Sequence, residues 1–315
     1  MLHLYVWRGA TRNFGDELND MLWPHLLPGL VDAGLVDDDR SVDDDRLDDA
    51  GSVLFLGIGS VLDARHPADR RKVVAGAGFG GYQRPASLDG SWEIYWVRGP
   101  RTARQLGLPV AFGLGDPASL LPLALPVARH DTGAIGFMPH FESLMRGAWP
   151  EAAAAAGVTL IDPRGAPEAI LDQIAGCRVL LSEAMHGVIV ADALRVPWVA
   201  LTPVAQIHRA KWLDWAESVD VTIRFQALPA ASLGEWIETF TPRRHAIRAG
   251  LACAAALADR FDQRSGCLDR AAASLRLAAA GTPQLSDYRA LGRAQERMLN
   301  RLHTLRARGG VRALP

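Results

Sequence analysis

The feature that most constrains this chain is a rhythm of short apolar runs, each stopped by glycine or polar residues and followed by a stretch of helical character. Residues 2 to 7, LHLYVW, lead into RGATRNFGDELNDMLWPHLL, where Asn13 or Asp16 can cap a helix carrying Leu18, Leu22 and Leu26 on one side. VLFL at 53 to 56 meets the glycine turn GIGS, KVVAGAGFGG again ends in glycines, and WEIYWVRG stops at Arg98 before PRTARQLGL, a helix with Pro100 in its first turn. After the proline-rich stretch 117 to 126, read as a linker, the rhythm restarts with GAIGFMPHF, a strand ending at His140. VTLIDP, PEAILDQIAG, CRVLLS, GVIVADALR and PWVALTP then follow in turn. Strands that alternate with helices pair in parallel, because each crossover helix returns the chain to the same end of the sheet. The predicted class is α/β.

A chain of 315 residues exceeds one ordinary core. The rhythm divides it into a domain over 1–126, a second over 127–282 and a C-terminal helix with tail over 283–315. A net charge of -1 gives no global reason for a nucleic-acid partner, so a phosphate site has to be built locally. Cys177, Cys253 and Cys267 are odd in number and form no C-x-x-C pattern, which argues against a disulfide framework or structural zinc. No H-x-x-x-H or H-E-x-x-H pattern points to a catalytic metal, and the acidic run 36 to 49 lacks the spacing and glycine of a calcium loop. The amino terminus lacks the n-region and h-region of a signal peptide, and no run reaches membrane-spanning length, so the expected location is the cytoplasm.

In a doubly wound sheet, ligands lie beyond the carboxyl ends of the strands, where helix amino termini turn their free amides outward. SEAMHG at 182 to 187 occupies that position. Ser182 and Glu183 end a strand and His186 opens the next helix, so His186 is expected to face a cleft. The alternative is that Ser182 or Glu183 caps the helix and His186 packs against a neighbour.

Taken in order, these segments resemble the polysaccharide pyruvyl transferase family. NFGDELN at 13 to 19 is similar to its N-x-G-D-x-L pattern, GIGSVL at 57 to 62 to its glycine turn, and VRGPRTA at 97 to 103 to its V-R-G/D motif. GDPASLLP at 115 to 122 and the S-x-x-x-H stretch at 182 to 186 complete the series. The likeness is closest to bacterial exopolysaccharide ketal pyruvate transferases. It implies two Rossmann-like domains in a GT-B-like arrangement, with phosphoenolpyruvate as donor to the C-terminal domain, a lipid-linked oligosaccharide acceptor on the N-terminal side, and no cofactor. Many members carry arginine two positions before the motif histidine; this chain has Ala184 there.

Forming a pyruvate ketal requires protonating the methylene carbon of an enol phosphate, adding sugar hydroxyls and expelling phosphate. Histidine titrates where that proton exchange is needed, which makes His186 the first candidate and His140 the second, with Glu183 beside them. The donor's phosphate and carboxylate call for a cation, for which Arg98 and Lys211 are candidates. Asn13, Asp16 and Ser182 suit sugar hydroxyls or the orientation of the histidine, and Gly57, Gly59 and Ser60 allow close approach of a ligand to the backbone. Two other readings fit the same architecture: a glycosyltransferase using a nucleotide sugar, and a noncatalytic carbohydrate-binding or assembly subunit. In residues 284 to 308, Tyr288, Leu291, Met298, Leu299 and Leu302 form an apolar helix face opposite Arg289, Arg293, Arg297, Arg301 and Arg306. Such a helix can lie on an anionic inner membrane surface, or dock on the protein with its arginines in water.

Overall fold

The structure, a computed structural model, describes residues 1–7, 9–36, 53–202, 209–240 and 266–308. Most of the acidic run (37 to 49), the segment 203–208 and Cys253 lie outside the described residues. Strands β1 (Leu2–Tyr5), β2 (Val31–Val36), β3 (Val53–Leu56), β4 (Arg71–Ala75) and β5 (Trp92–Trp96) form a parallel sheet in the order β2-β1-β3-β4-β5. A second parallel sheet holds β6 (Ala134–Met138), β7 (Thr159–Leu160), β8 (Cys177–Ser182), β9 (Trp198–Thr202) and β10 (Phe225–Ala227), in the order β10-β9-β8-β6-β7.

Counted from its own first strand, each sheet has the doubly wound order 2-1-3-4-5, whose topological switch points here fall between β1 and β3 and between β6 and β8. Interior strands such as VLFL are buried along their whole length, as expected where helices cover both faces. The expectations missed β2 and β10. Both are edge strands, with Asp, Ala and Gly in VDAGLV and Gln in FQA, and a strand paired on one side carries a weaker apolar signature.

The helices are α1 (Phe14–Leu26), α2 (Pro100–Gln105), α3 (Leu121–Ala124), α4 (Phe141–Arg146), α5 (Trp149–Ala156), α6 (Pro167–Gly176), α7 (Met185–Ala193), α8 (Arg209–Ser218), α9 (Leu233–Phe240), α10 (Cys267–Ala280) and α11 (Tyr288–Ala307). None of the described helices is long and apolar enough to cross a membrane. α7, MHGVIVADA, is buried nearly all round and packs against α1 and α6. The stretch read as a linker forms a 3-10 turn, Pro117–Leu120, followed by α3, and it packs beneath α7 with Pro117 to Leu121 buried. Pro117 and Pro122 stand in first turns, where a missing N–H costs no helical hydrogen bond.

One continuous apolar cluster joins Phe14, Leu18 and Trp23 near the first sheet to Met138, Ile174, Val188 and Trp215 around the second. α11 extends it with Leu291, Ala294, Met298, Leu302 and Leu305. The buried face of α11 therefore differs from the expected one. Tyr288 is 75% exposed, beneath the Arg195 guanidinium, and Ala290 and Ala294 take its place on the buried face. Arg293 reaches Asp220 at 3.4 Å, Arg297 donates to the Ala111 carbonyl and Arg301 lies over the Phe112 ring. The face that a bilayer would need is buried against the protein.

Candidate active site

The amino termini of α1 and α7 meet where the two sheets adjoin, Gly15 against His186, and the Phe14 amide donates at 2.8 Å to the carbonyl of Pro163 in the loop before α6. Gly15, the glycine of NFGD, presses on the imidazole of His186: a Cβ at Gly15 would lie 2.0 Å from Nδ1. No larger residue fits there without moving the ring. On its other side, Nε2 of His186 faces Oδ2 of Asp116 at 3.6 Å; the two side chains are 14% and 1% exposed. Both atoms are buried and neither has a hydrogen-bond partner. Asp116 is fixed through its other oxygen, which accepts the Ala118 amide at 3.0 Å and caps the 3-10 turn.

Asp16 stands one turn-residue beyond Gly15. Asn13 donates to its Oδ2 at 2.7 Å, and burial raises the Asp16 pKa above the ordinary carboxylate value, opposed by that hydrogen bond and by the positive charges of His186 and Lys211. Asn13, Asp16, His186 and Lys211 are thus gathered within electrostatic reach of one another. They come from helix starts after β1 and β8 and from α8. The Lys211 ammonium also lies 2.9 Å from the Tyr82 hydroxyl, which comes from the loop after β4.

The other expected site residues have different surroundings. The GIGS turn is held by Asn19, whose amide oxygen accepts Ile58 N–H and Trp23 Nε1–H and whose amide nitrogen donates to the Ile58 carbonyl. The Trp23 indole fills the space over Gly57, Gly59 has φ +139, and Ser60 accepts from Arg98. Arg98 itself is 0% exposed. Its nitrogens donate to Asp214 at 3.1 Å, Ser60 at 2.8 Å and the Phe79 carbonyl at 3.0 Å. Asp214 of α8 also accepts the Arg101 and Thr102 amides and the Thr102 hydroxyl, capping α2. Arg98 therefore sits in the seam that fastens α8 to the first sheet.

Glu183 is buried, with one oxygen accepting the His140 amide and the other the Ser143 hydroxyl, both at 2.8 Å. Burial pushes its pKa up to about 7, those two hydrogen bonds oppose the shift, and Glu235 adds to it. Ser182 closes the turn before α7 by accepting the Ala184 amide. His140 caps α4, with Nδ1 accepting the Glu142 amide at 3.3 Å. These three shape the loops around His186.

Asp116, Gly15 and Asp214 were not singled out from sequence. Asp116 and Gly15 lie inside the motif-like GDP and NFGD segments, where the signal was present. Asp214 is one acid in a helix, and only the fold shows what it caps. Cys177 and Cys267 are buried free thiols, and among the described residues no three His, Cys, Asp or Glu side chains are placed to hold a metal ion.

The chain matches the family model for polysaccharide pyruvyl transferase over residues 13–203. It is similar to the succinoglycan biosynthesis protein ExoV of Rhizobium meliloti (strain 1021), with 34% identity over 332 residues, covering 96% of this chain and 98% of that protein.

Proposed function

The chain belongs to the polysaccharide pyruvyl transferase family, and on that premise we propose that it transfers pyruvate from phosphoenolpyruvate to a hexose of a lipid-linked exopolysaccharide repeat unit, forming a cyclic ketal. The observation that carries this reading is the gathering of His186, Asp16 and Lys211 beside the switch points of the two sheets. His186 gives a proton to the methylene carbon of the donor, and the cationic carbon that results is attacked by a sugar hydroxyl. Asp16, whose pKa burial raises, receives or returns the hydroxyl proton. The second hydroxyl displaces phosphate and closes the ketal.

Lys211 is the cation for the donor in place of the arginine missing at Ala184, since Arg98 is buried with its guanidinium occupied. A GT-B-like division of labour follows, with the acceptor on the side of residues 1–126 and the donor on the side of 127–282. Among the described residues no particular contact favours a nucleotide-sugar donor.

Mixing the protein with phosphoenolpyruvate and a lipid-linked oligosaccharide should release phosphate only when both are present, and the product should gain the mass of a pyruvate ketal. Transfer from a nucleotide sugar under the same conditions, with no pyruvylated product, would overturn the assignment.

A further inference from the structure

We propose that Asp116 is a positioning residue that holds His186 protonated at Nε2, leaving Nδ1, the nitrogen beside Gly15, to exchange protons with substrate. Oδ2 of Asp116 and Nε2 of His186 face each other at 3.6 Å, both buried and both without a hydrogen bond. Leaving a buried polar atom unsatisfied is costly, and closing this gap by roughly 0.6 Å would give an ordinary N–H···O bond and satisfy both groups at once. An ionised carboxylate only accepts, so the hydrogen between them belongs to Nε2. Asp116 cannot easily turn away, because its second oxygen is bonded to the Ala118 amide at the head of the turn beneath α7.

The ring is confined from both sides. Gly15 bears on Nδ1 and Asp116 stands behind Nε2, so the imidazole has one orientation in which the carboxylate is satisfied. Resting on the reaction proposed above, the proton balance is as follows. The doubly protonated ring gives its Nδ1 proton to the methylene carbon, which becomes a methyl group, and keeps Nε2–H on Asp116. The Nδ1 lone pair left behind is restored to N–H by the proton that a sugar hydroxyl loses as its C–O bond forms, either directly or through Asp16. The second hydroxyl's proton leaves with phosphate.

The test is the tautomer itself, read by nitrogen NMR of the histidine rings at a pH well above the ordinary histidine range, with His186→Gln identifying the signal. The protein without substrate should show His186 protonated at Nε2. Asp116→Asn keeps the shape of the side chain, and the Ala118 amide holds the new amide's oxygen on its own side, so its NH2 faces Nε2 and drives the proton to Nδ1. The variant should therefore show the opposite tautomer and lose about 100-fold in kcat, with the KM for phosphoenolpyruvate changed less than a few-fold. An Nδ1-protonated ring in the unaltered protein, or Asp116→Asn with unchanged spectrum and turnover, would overturn the proposal. Because the spectrum needs no substrate, the expected tautomer in a protein that does not transfer pyruvate would sink the reaction and leave the pairing standing.

Discussion

Replacing Gly15 with alanine separates the needs of the helix from those of the site. Gly15 lies in the first turn of α1 and its φ is not positive, so the backbone accepts alanine, and glycine-to-alanine changes in helices ordinarily gain about 0.5 to 1 kcal/mol. Here the added Cβ would fall 2.0 Å from Nδ1, 2.8 Å from Cε1 and 2.9 Å from Cγ of His186. Normal contact between such atoms needs about 3.5 Å, so the ring has to withdraw by roughly 1.5 Å or tilt by an equivalent amount. Asp116 lies 3.6 Å behind Nε2, which leaves the ring to swing sideways out of register with both partners. A reacting group misplaced by about 1 Å can cost on the order of 100-fold in rate.

Gly15→Ala should therefore lower kcat for acceptor-dependent phosphate release about 100-fold while the protein still unfolds cooperatively. The matched control is Gly292→Ala in α11, where a Cβ meets nothing within 4 Å. That variant should keep full activity and gain up to about 1 kcal/mol in stability. If Gly15→Ala turned over within a few-fold of the unaltered protein, His186 would not be working from the observed position and the reasoning would fail.

Glu183, with a pKa of about 7 against an ordinary 4.5, holds in the folded protein a proton that the unfolded chain releases. Its contribution is full below pH 4.5 and declines as pH rises through 7, by roughly 3 kcal/mol in all, and Glu183→Gln should flatten that decline in urea titrations across the window; an unchanged slope would assign it to another group. Asp214→Ala strands the fully buried Arg98 charge and removes the cap of α2, so it should cost about 3 to 5 kcal/mol; a loss below 1 kcal/mol would mean that the seam carries little. Lys211→Ala should raise the phosphoenolpyruvate concentration for half-saturation at least about tenfold with a smaller change in kcat, whereas unchanged donor saturation would shift the phosphate to another cation.

The strand-and-helix rhythm made both sheets legible because buried parallel strands and their crossover helices leave strong local patterns. The placement of His186 followed from the same pattern, since a polar residue opening a helix after a buried strand has its surroundings set by the fold class. What the pattern could not carry was long-range pairing. Asp116 lies 70 residues before His186, and Asp214 caps a helix more than 100 residues earlier. The apolar face of α11 was misjudged for a related reason: alanine counts little in an amphipathic pattern, yet Ala290 and Ala294 are buried on the packed face.

Arg98 shows where strand-end reasoning needs topology. The carboxyl end of any parallel strand is a plausible ligand site, but the crevice opens where neighbouring connections diverge to opposite faces, beside β1 and β3 in the first sheet and β6 and β8 in the second. Asp16, Ser60, His140 and His186 follow those four strands. β5 lies at the far edge of its sheet, and the space beyond its end is filled by α8, whose Asp214 meets Arg98. Once the strand order is known, the arginine of VRGPRTA belongs to the join between the two halves. That join brings α8 over the first sheet and so places Lys211 beside Tyr82 and within reach of Asp16. Arg98 therefore bears on the site at one remove, by holding α8, the helix that carries Lys211.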